Sequence, residues 1–142
     1  MSALIKIAIV EDFELERKGL IVLLKQFDDF EVVLDCGNGK ELLEGLKTIN
    51  LDIILLDIEM ALMGGRETFD RVKYKYPRQR IIMLTEHFSD SYIIEFMKKG
   101  AASFLSKNSR IEKVVETIRR VHQQGICYDT LIANVLIRAG TT

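Results

Sequence analysis

Asp57 follows directly on Ile53-Ile54-Leu55-Leu56, an acid at the end of an unbroken aliphatic run. Desolvating a carboxylate there is costly unless a cation or hydrogen-bond donors offset it. Three other runs also end in polar groups: Leu4 to Val10 in Glu11-Asp12, Arg80 to Leu84 in Thr85, and Ser103 to Ser106 in Lys107. A carboxylate in this company can act as a nucleophile toward a phosphoryl donor, forming an aspartyl-phosphate. Glu11, Asp12 and Asp57, brought close together, would repel one another unless a cation sat among them. Their hard oxygens suit Mg²⁺, which keeps several waters and binds one or two carboxylates plus phosphate. Such a metal neutralises charge on a transferring phosphoryl group. Lys107 offers a point positive charge to a second phosphoryl oxygen, and Thr85 offers a hydroxyl to another. No general base is evident, so the chemistry would be positioning and electrostatic stabilisation.

Each residue also has a plainer explanation. Asp12 can be the N-cap of the helix that follows it, a role compatible with metal binding. A threonine at a strand end is most often a turn residue, and a lone lysine most often a solvated one. Asp57 is hardest to explain away, because it follows a run that reads as buried. The placement of all four at the ends of four apolar runs is the signal.

Those runs predict the elements that must hold the site. Ile53 to Asp57 is too short for a buried helix and reads as a strand buried on both faces, as in a parallel sheet. Leu4–Val10, Phe30–Leu34, Arg80–Thr85 and Ser103–Ser106 read as further strands. Between them, Phe13–Gln26 predicts an amphipathic helix with Leu15, Leu20, Val22, Leu23 and Leu24 as its apolar residues. Lys40–Lys47 predicts a helix with Leu42, Leu43 and Leu46 inward, and Arg66–Tyr76 one ended by Pro77. Asp90–Lys99 reads as a helix stopped by Gly100, and Ile111–Gln124 as one closed by Gly125. Asp129–Arg138 suits one more short helix. Strand and helix alternate five times, which argues for an α/β domain with a parallel sheet and helices on both faces. In such sheets the site lies beyond the carboxyl ends of the strands, where strand order reverses.

The remaining composition narrows the function classes. With 142 residues, 48% hydrophobic and 29% charged, the chain suits one globular domain. A net charge of −1 leaves no footprint for nucleic acid or an anionic membrane. No run approaches a membrane span, and Met1-Ser2-Ala3 leads into a strand rather than a signal peptide. Cys36 and Cys127 lack metal-ligand spacing and read as reduced thiols of a cytoplasmic protein.

The chain resembles the receiver domain of bacterial two-component response regulators. The resemblance rests on Glu11-Asp12, on Leu55-Leu56-Asp57-Ile58-Glu59-Met60 with Gly65, on Leu84-Thr85, and on Gly100-Ala101-Ala102-Ser103-Phe104-Leu105-Ser106-Lys107. It spans about residues 4 to 125. It implies a flavodoxin-like, doubly wound five-stranded parallel sheet of order 2-1-3-4-5. It also implies a sensor histidine kinase that donates phosphate to Asp57, with Mg²⁺ bound by Asp12, Asp57 and the Glu59 backbone carbonyl. Glu11 would act mainly through a metal-bound water. Such a protein would catalyse at most its own phosphorylation and slow dephosphorylation. Phosphorylation adds roughly −1.5 to −2 charge units. Thr85 would then move to meet the phosphoryl group and Phe104 would turn inward, switching the face made by helix four, strand five and helix five. The bland reading of Phe104 is a core aromatic. Receivers often form homodimers through that same face.

Residues 1–125 would be the receiver and 126–142 an extension or the start of a linker. Gly125 to Leu136 and Lys107-Asn108-Ser109 are similar to regulators of the LuxR-type DNA-binding class. DNA would be reached only through an effector domain absent from this chain, and a stand-alone receiver is the alternative.

Several positions depart from the family pattern. Ala61 and Asn108 stand where prolines are common, which leaves the first loop more flexible. No cis bond is assumed at Lys107–Asn108, since without proline it costs about 2.5–4 kcal/mol. Glu86 stands where a small residue is usual and would narrow access to Asp57 or oppose a phosphoryl group. Glu59 and His87 occupy positions that tend to set dephosphorylation rate, so an altered phosphoryl lifetime is expected. Two other classes fit less well. A haloacid-dehalogenase-type phosphatase would want an Asp at Glu59, a Thr at Ala61 and a later acidic pair. A degenerate receiver that binds partners without phosphorylation would not need the intact set of Asp57, Thr85 and Lys107.

Overall fold

A computed structural model describes residues 3–140. Met1 and Ser2, expected to lead into the first strand, lie outside that range, as do Thr141 and Thr142 of the C-terminal extension. The strands are β1 (Ile5–Val10), β2 (Phe30–Cys36), β3 (Ile53–Asp57), β4 (Arg80–Thr85) and β5 (Ser103–Ser106). The helices are α1 (Glu14–Leu24), α2 (Gly39–Leu46), α3 (Gly65–Lys75), α4 (Asp90–Lys98), α5 (Ile111–Gln124) and α6 (Thr130–Arg138). The strands form one parallel sheet in the order β2-β1-β3-β4-β5. This is the expected doubly wound, flavodoxin-like architecture. Strand order reverses around β1 and β3, so the ends of those strands flank the crevice where such folds place their sites.

Side-chain alternation divides the core into two layers. Ile5, Ile7, Ile9, Ile53, Leu55, Ile82, Leu84 and Leu105 pack against α1 and α5. Ala8, Val10, Ile54, Leu56, Ile81, Met83 and Phe104 face α2, α3, α4 and α6. Every residue of β3 is buried, as its unbroken aliphatic run required. α4 and α5 end where Gly100 and Gly125 take φ of +102° and +87°, backbone that favours glycine. The Arg80 guanidinium donates to the Val121 and His122 carbonyls at 3.0 and 2.9 Å, adding to the bond that Val121 accepts from the Gly125 N–H at the end of α5.

Two sequence expectations about α1 are corrected. Its buried residues are Ile21 and Leu24, with Leu20 partly covered, whereas Leu15, Val22 and Leu23 are exposed. Successive helical residues turn by ~100°, so one stripe near Leu20, Ile21 and Leu24 meets the sheet and the other leucines face away. Asp12 does not cap the helix; Phe13 holds that position, without a side-chain bond. Leu43, expected inward on α2, is only partly buried beside Leu42 and Leu46.

α6 folds back onto the domain. Asp129 caps it, accepting from the Ile132 N–H at 2.8 Å. Ile132, Val135 and Leu136 are buried in the layer that holds Phe96 and Met97 of α4. Flanking ion pairs join Lys113 to Asp129 at 2.7 Å and Arg138 to Asp90 at 3.4 Å.

Candidate functional site

The carboxyl ends of β1, β3, β4 and β5 converge on Asp57. Parallel pairing sets Val10 beside Leu56 and Asp57 beside Leu84, and Thr85 beside Ser106. Backbone bonds carry the register past the strand ends: Ile58 N–H donates to Leu84 at 3.0 Å, and Lys107 N–H to Thr85 at 2.8 Å. Gly65 seals the other side. A Cβ there would lie 2.3 Å from the Asp57 carbonyl oxygen and 2.6 Å from Ile58 Cα, so α3 can start this close to β3 only at glycine.

Asp57 is fully buried. Its Oδ1 accepts from the Glu59 N–H at 3.2 Å, and its Oδ2 accepts no hydrogen bond. The Lys107 ammonium lies 3.2 Å from that Oδ2 and also pairs with Glu11 and, at 3.1 Å, with Glu16. Burial, and then Glu11 beside it, push the Asp57 carboxyl up to about 8 despite Lys107. Burial alone would lower the Lys107 ammonium, yet Glu11, Asp57 and Glu16 together drive it upward. One cation thus serves three carboxylates.

A further cation has a place to go. Glu11, Asp12 and Asp57 each bring an oxygen to within 4.8 Å of the others. The unbonded Asp57 Oδ2 is an orphaned buried acceptor, and an all-oxygen donor set suits a hard ion such as Mg²⁺. The Glu59 carbonyl accepts no protein hydrogen bond among the described residues, which leaves it free for the same ion.

Asp12 also ties down the loop after β3, accepting from the Ala61 N–H at 2.9 Å. In that loop Met63 takes φ of +44°, uncommon for a residue with a side chain. Thr85 is fully buried, and its Oγ1 donates to the Glu59 carboxylate, 2.9 Å from each oxygen, while accepting from His87 N–H at 3.0 Å. Glu86 N–H donates to the same carboxylate at 3.2 Å. The exposed Glu86 side chain lines a cavity of about 310 Å³ between α1 and α5, with Glu16, Leu20, Lys107 and Ile111. Phe104 is buried, its ring 5.4 Å from that of Phe88 and 6.5 Å from that of Phe96. All peptide bonds among the described residues are trans, Lys107–Asn108 included.

With this geometry in view, the family comparison is direct: the model of the response regulator receiver domain matches residues 7–119. The chain belongs to the response regulator receiver family. Some relatives of this receiver are regulators of transcription by name, and others are named only as response regulators. The transcriptional regulatory protein DegU of Brevibacillus brevis is 31% identical over 134 residues, covering 94% of this chain and 57% of its own length. Response regulator UvrY of Escherichia coli strain K12 is 31% identical over 119 residues, 84% of this chain and 55% of its own. The receiver therefore spans little more than half the length of these relatives. A LuxR-family DNA-binding response regulator from Staphylococcus aureus superposes with a TM-score of 0.77 at 28% identity, over 84% of this chain and 99% of that one. The phosphatase reading gives way to the family match.

No local pattern in the sequence marks Glu16 as part of the site. An acid in the first turn of a helix is explained well enough by the helix dipole, and nothing nearby in sequence points to Lys107. The Glu59 side chain was expected near the site, but its hold on Thr85 and Glu86 was not.

Proposed function

We propose that this receiver accepts a phosphoryl group on Asp57 from a histidine kinase and passes the signal to a transcription output. The observation that carries this reading is the buried Asp57 Oδ2, unbonded, 3.2 Å from Lys107 and grouped with oxygens of Glu11 and Asp12.

Asp57 is the nucleophile. Its oxygen forms a bond to phosphorus as the bond from phosphorus to the kinase histidine nitrogen breaks, and the imidazole leaves with the electron pair. Lys107 stabilises the ionised carboxylate and then charge on the phosphoryl oxygens. Thr85 and the Glu86 N–H stand at the end of β4 as further donors. Glu11, Asp12, Asp57 and the Glu59 carbonyl would hold Mg²⁺, which supplies positive charge that favours the ionised nucleophile and offsets charge on the transferred group.

The output follows from the relatives. In this reading residues 1–125 form the receiver, and 126–142 lead toward an effector domain that touches DNA. Thr85 and Phe104 relay the phosphorylation state to the surface of α4, β5 and α5 as a population shift. α6 lies against α4, so it is the first element that such a shift would meet. A homodimer and a cytoplasmic setting belong to the same reading. Glu59, Glu86 and His87 set the phosphoryl lifetime.

The test is intact mass after incubation with Mg²⁺ and acetyl phosphate. One phosphoryl adduct on the wild type, absent from Asp57→Asn, is expected. A folded protein that gains no adduct and binds no beryllofluoride would instead be a partner-binding module that works unphosphorylated.

A further inference from the structure

We propose that the Glu59 carboxylate is a tethered anion that fills the phosphoryl-oxygen subsite, competing with the phosphoryl group and holding Thr85 in place without it. This rests on the reading of Asp57 as phosphoacceptor.

A phosphoryl group on Asp57 brings three anionic oxygens that need donors or cations. Beyond the metal site and Lys107, the donors at the neighbouring end of β4 are the Thr85 hydroxyl and the Glu86 N–H. Both are given to Glu59: Thr85 Oγ1 lies 2.9 Å from each carboxylate oxygen, and Glu86 N–H donates at 3.2 Å. Glu59 is two residues from Asp57, and its own N–H donates to Asp57 Oδ1 at 3.2 Å. The carboxylate is therefore delivered by the same short segment that carries the acceptor. Hydrogen bonds to an ionised acceptor are about twice as strong as neutral ones, so an incoming phosphoryl group must displace a good ligand.

The tether also acts on the switch residues. Held by Glu59 and by His87 N–H, Thr85 is fully buried at the end of β4. Two residues earlier on the same strand, Met83 pairs with Phe104, whose ring is buried against Phe88 and Phe96. The inward arrangement of Thr85 and Phe104 is thus supported by an internal anion. Glu59 is a positioning residue for Thr85 and a brake on phosphoryl binding.

Beryllofluoride binding with Mg²⁺ and the amide spectrum of the full chain test this together, in wild type, Glu59→Ala and Glu59→Gln. Losing the carboxylate should shift the Glu86 amide proton upfield, and saturating beryllofluoride should return it downfield in both variants. Beryllofluoride should bind both variants about tenfold tighter, the gain expected when a competitor that fills the donors ~90% of the time is removed. Gln keeps the size of Glu and loses its charge. If Gln instead behaves as wild type in both readouts, the side chain merely fills space and the proposal is overturned. Equal beryllofluoride affinity in all three proteins overturns the competition while leaving Asp57 as acceptor. Binding by none of them overturns the acceptor reading, and the tether with it.

Discussion

The Lys107 ammonium sits 3.2 Å from Asp57 Oδ2 and at the same time pairs with Glu11 and Glu16. Asp57 and Glu11 are buried, and among the described residues this ammonium is the cation paired with both of them. Replacing Lys107 with Met removes it and leaves buried carboxylates facing one another. We expect a loss of roughly 3–5 kcal/mol in stability without metal. Urea denaturation with and without Mg²⁺ checks this, and the variant should recover more from added Mg²⁺ than the wild type does.

Asp57 also makes stability depend on pH. Burial, and then Glu11, raise its carboxyl from an ordinary 3.8 to about 8. Between those values the folded protein holds a proton that the unfolded chain has lost, so folding takes up a proton there. In EDTA, stability should be fullest below the ordinary value and fall as pH rises toward 8, by up to ~1.4 kcal/mol per unit. Thermal melts of wild type and Asp57→Asn across that range are the measurement. The Asn variant should gain on the wild type as pH rises; parallel curves would contradict the raised carboxyl. Saturating Mg²⁺ should stabilise the wild type more at pH 8 than at pH 5, since the metal and the proton exclude each other.

Gly65 makes a test of geometry without charge. A methyl group there meets the Asp57 and Ile58 backbone at 2.3 and 2.6 Å, where no flexible side chain can give way. Gly65→Ala should cost about 1–3 kcal/mol and slow phosphorylation by acetyl phosphate, because β3 and Asp57 must shift. Adduct formation followed over time by mass, beside a chemical melt, separates the two effects.

α6 offers neighbouring residues with opposite expectations. Ile132 is fully buried against the α4 layer, while Ile137 is exposed. Ile132→Ala should cost about 2–5 kcal/mol and Ile137→Ala close to nothing. Equal effects in chemical denaturation would show that α6 does not hold this position in solution.

The sequence alone made the strands legible, and with them the edge on which the candidate site lies. β3, β4, β5 and α5 have the bounds that their apolar runs and periodicity predict. That much is legible because a polar residue after a short buried run marks a strand end, and parallel strands collect those ends on one edge. The β2-β1-β3-β4-β5 order rested on resemblance to a family rather than on any local pattern. Tertiary structure decided which side chains meet. α1 carries four leucines and Val22 beside Ile21, and the sheet chose the stripe of Ile21 and Leu24. Asp12 bonds to Ala61, 49 positions away, instead of capping its own helix, and Lys107 finds Glu16 across 91 positions. Glu59 turns its carboxylate to Thr85 and Glu86 rather than to solvent. Periodicity and propensity act over one or two turns of chain, whereas these partners are set by the loops and strand register that bring distant segments within hydrogen-bond reach.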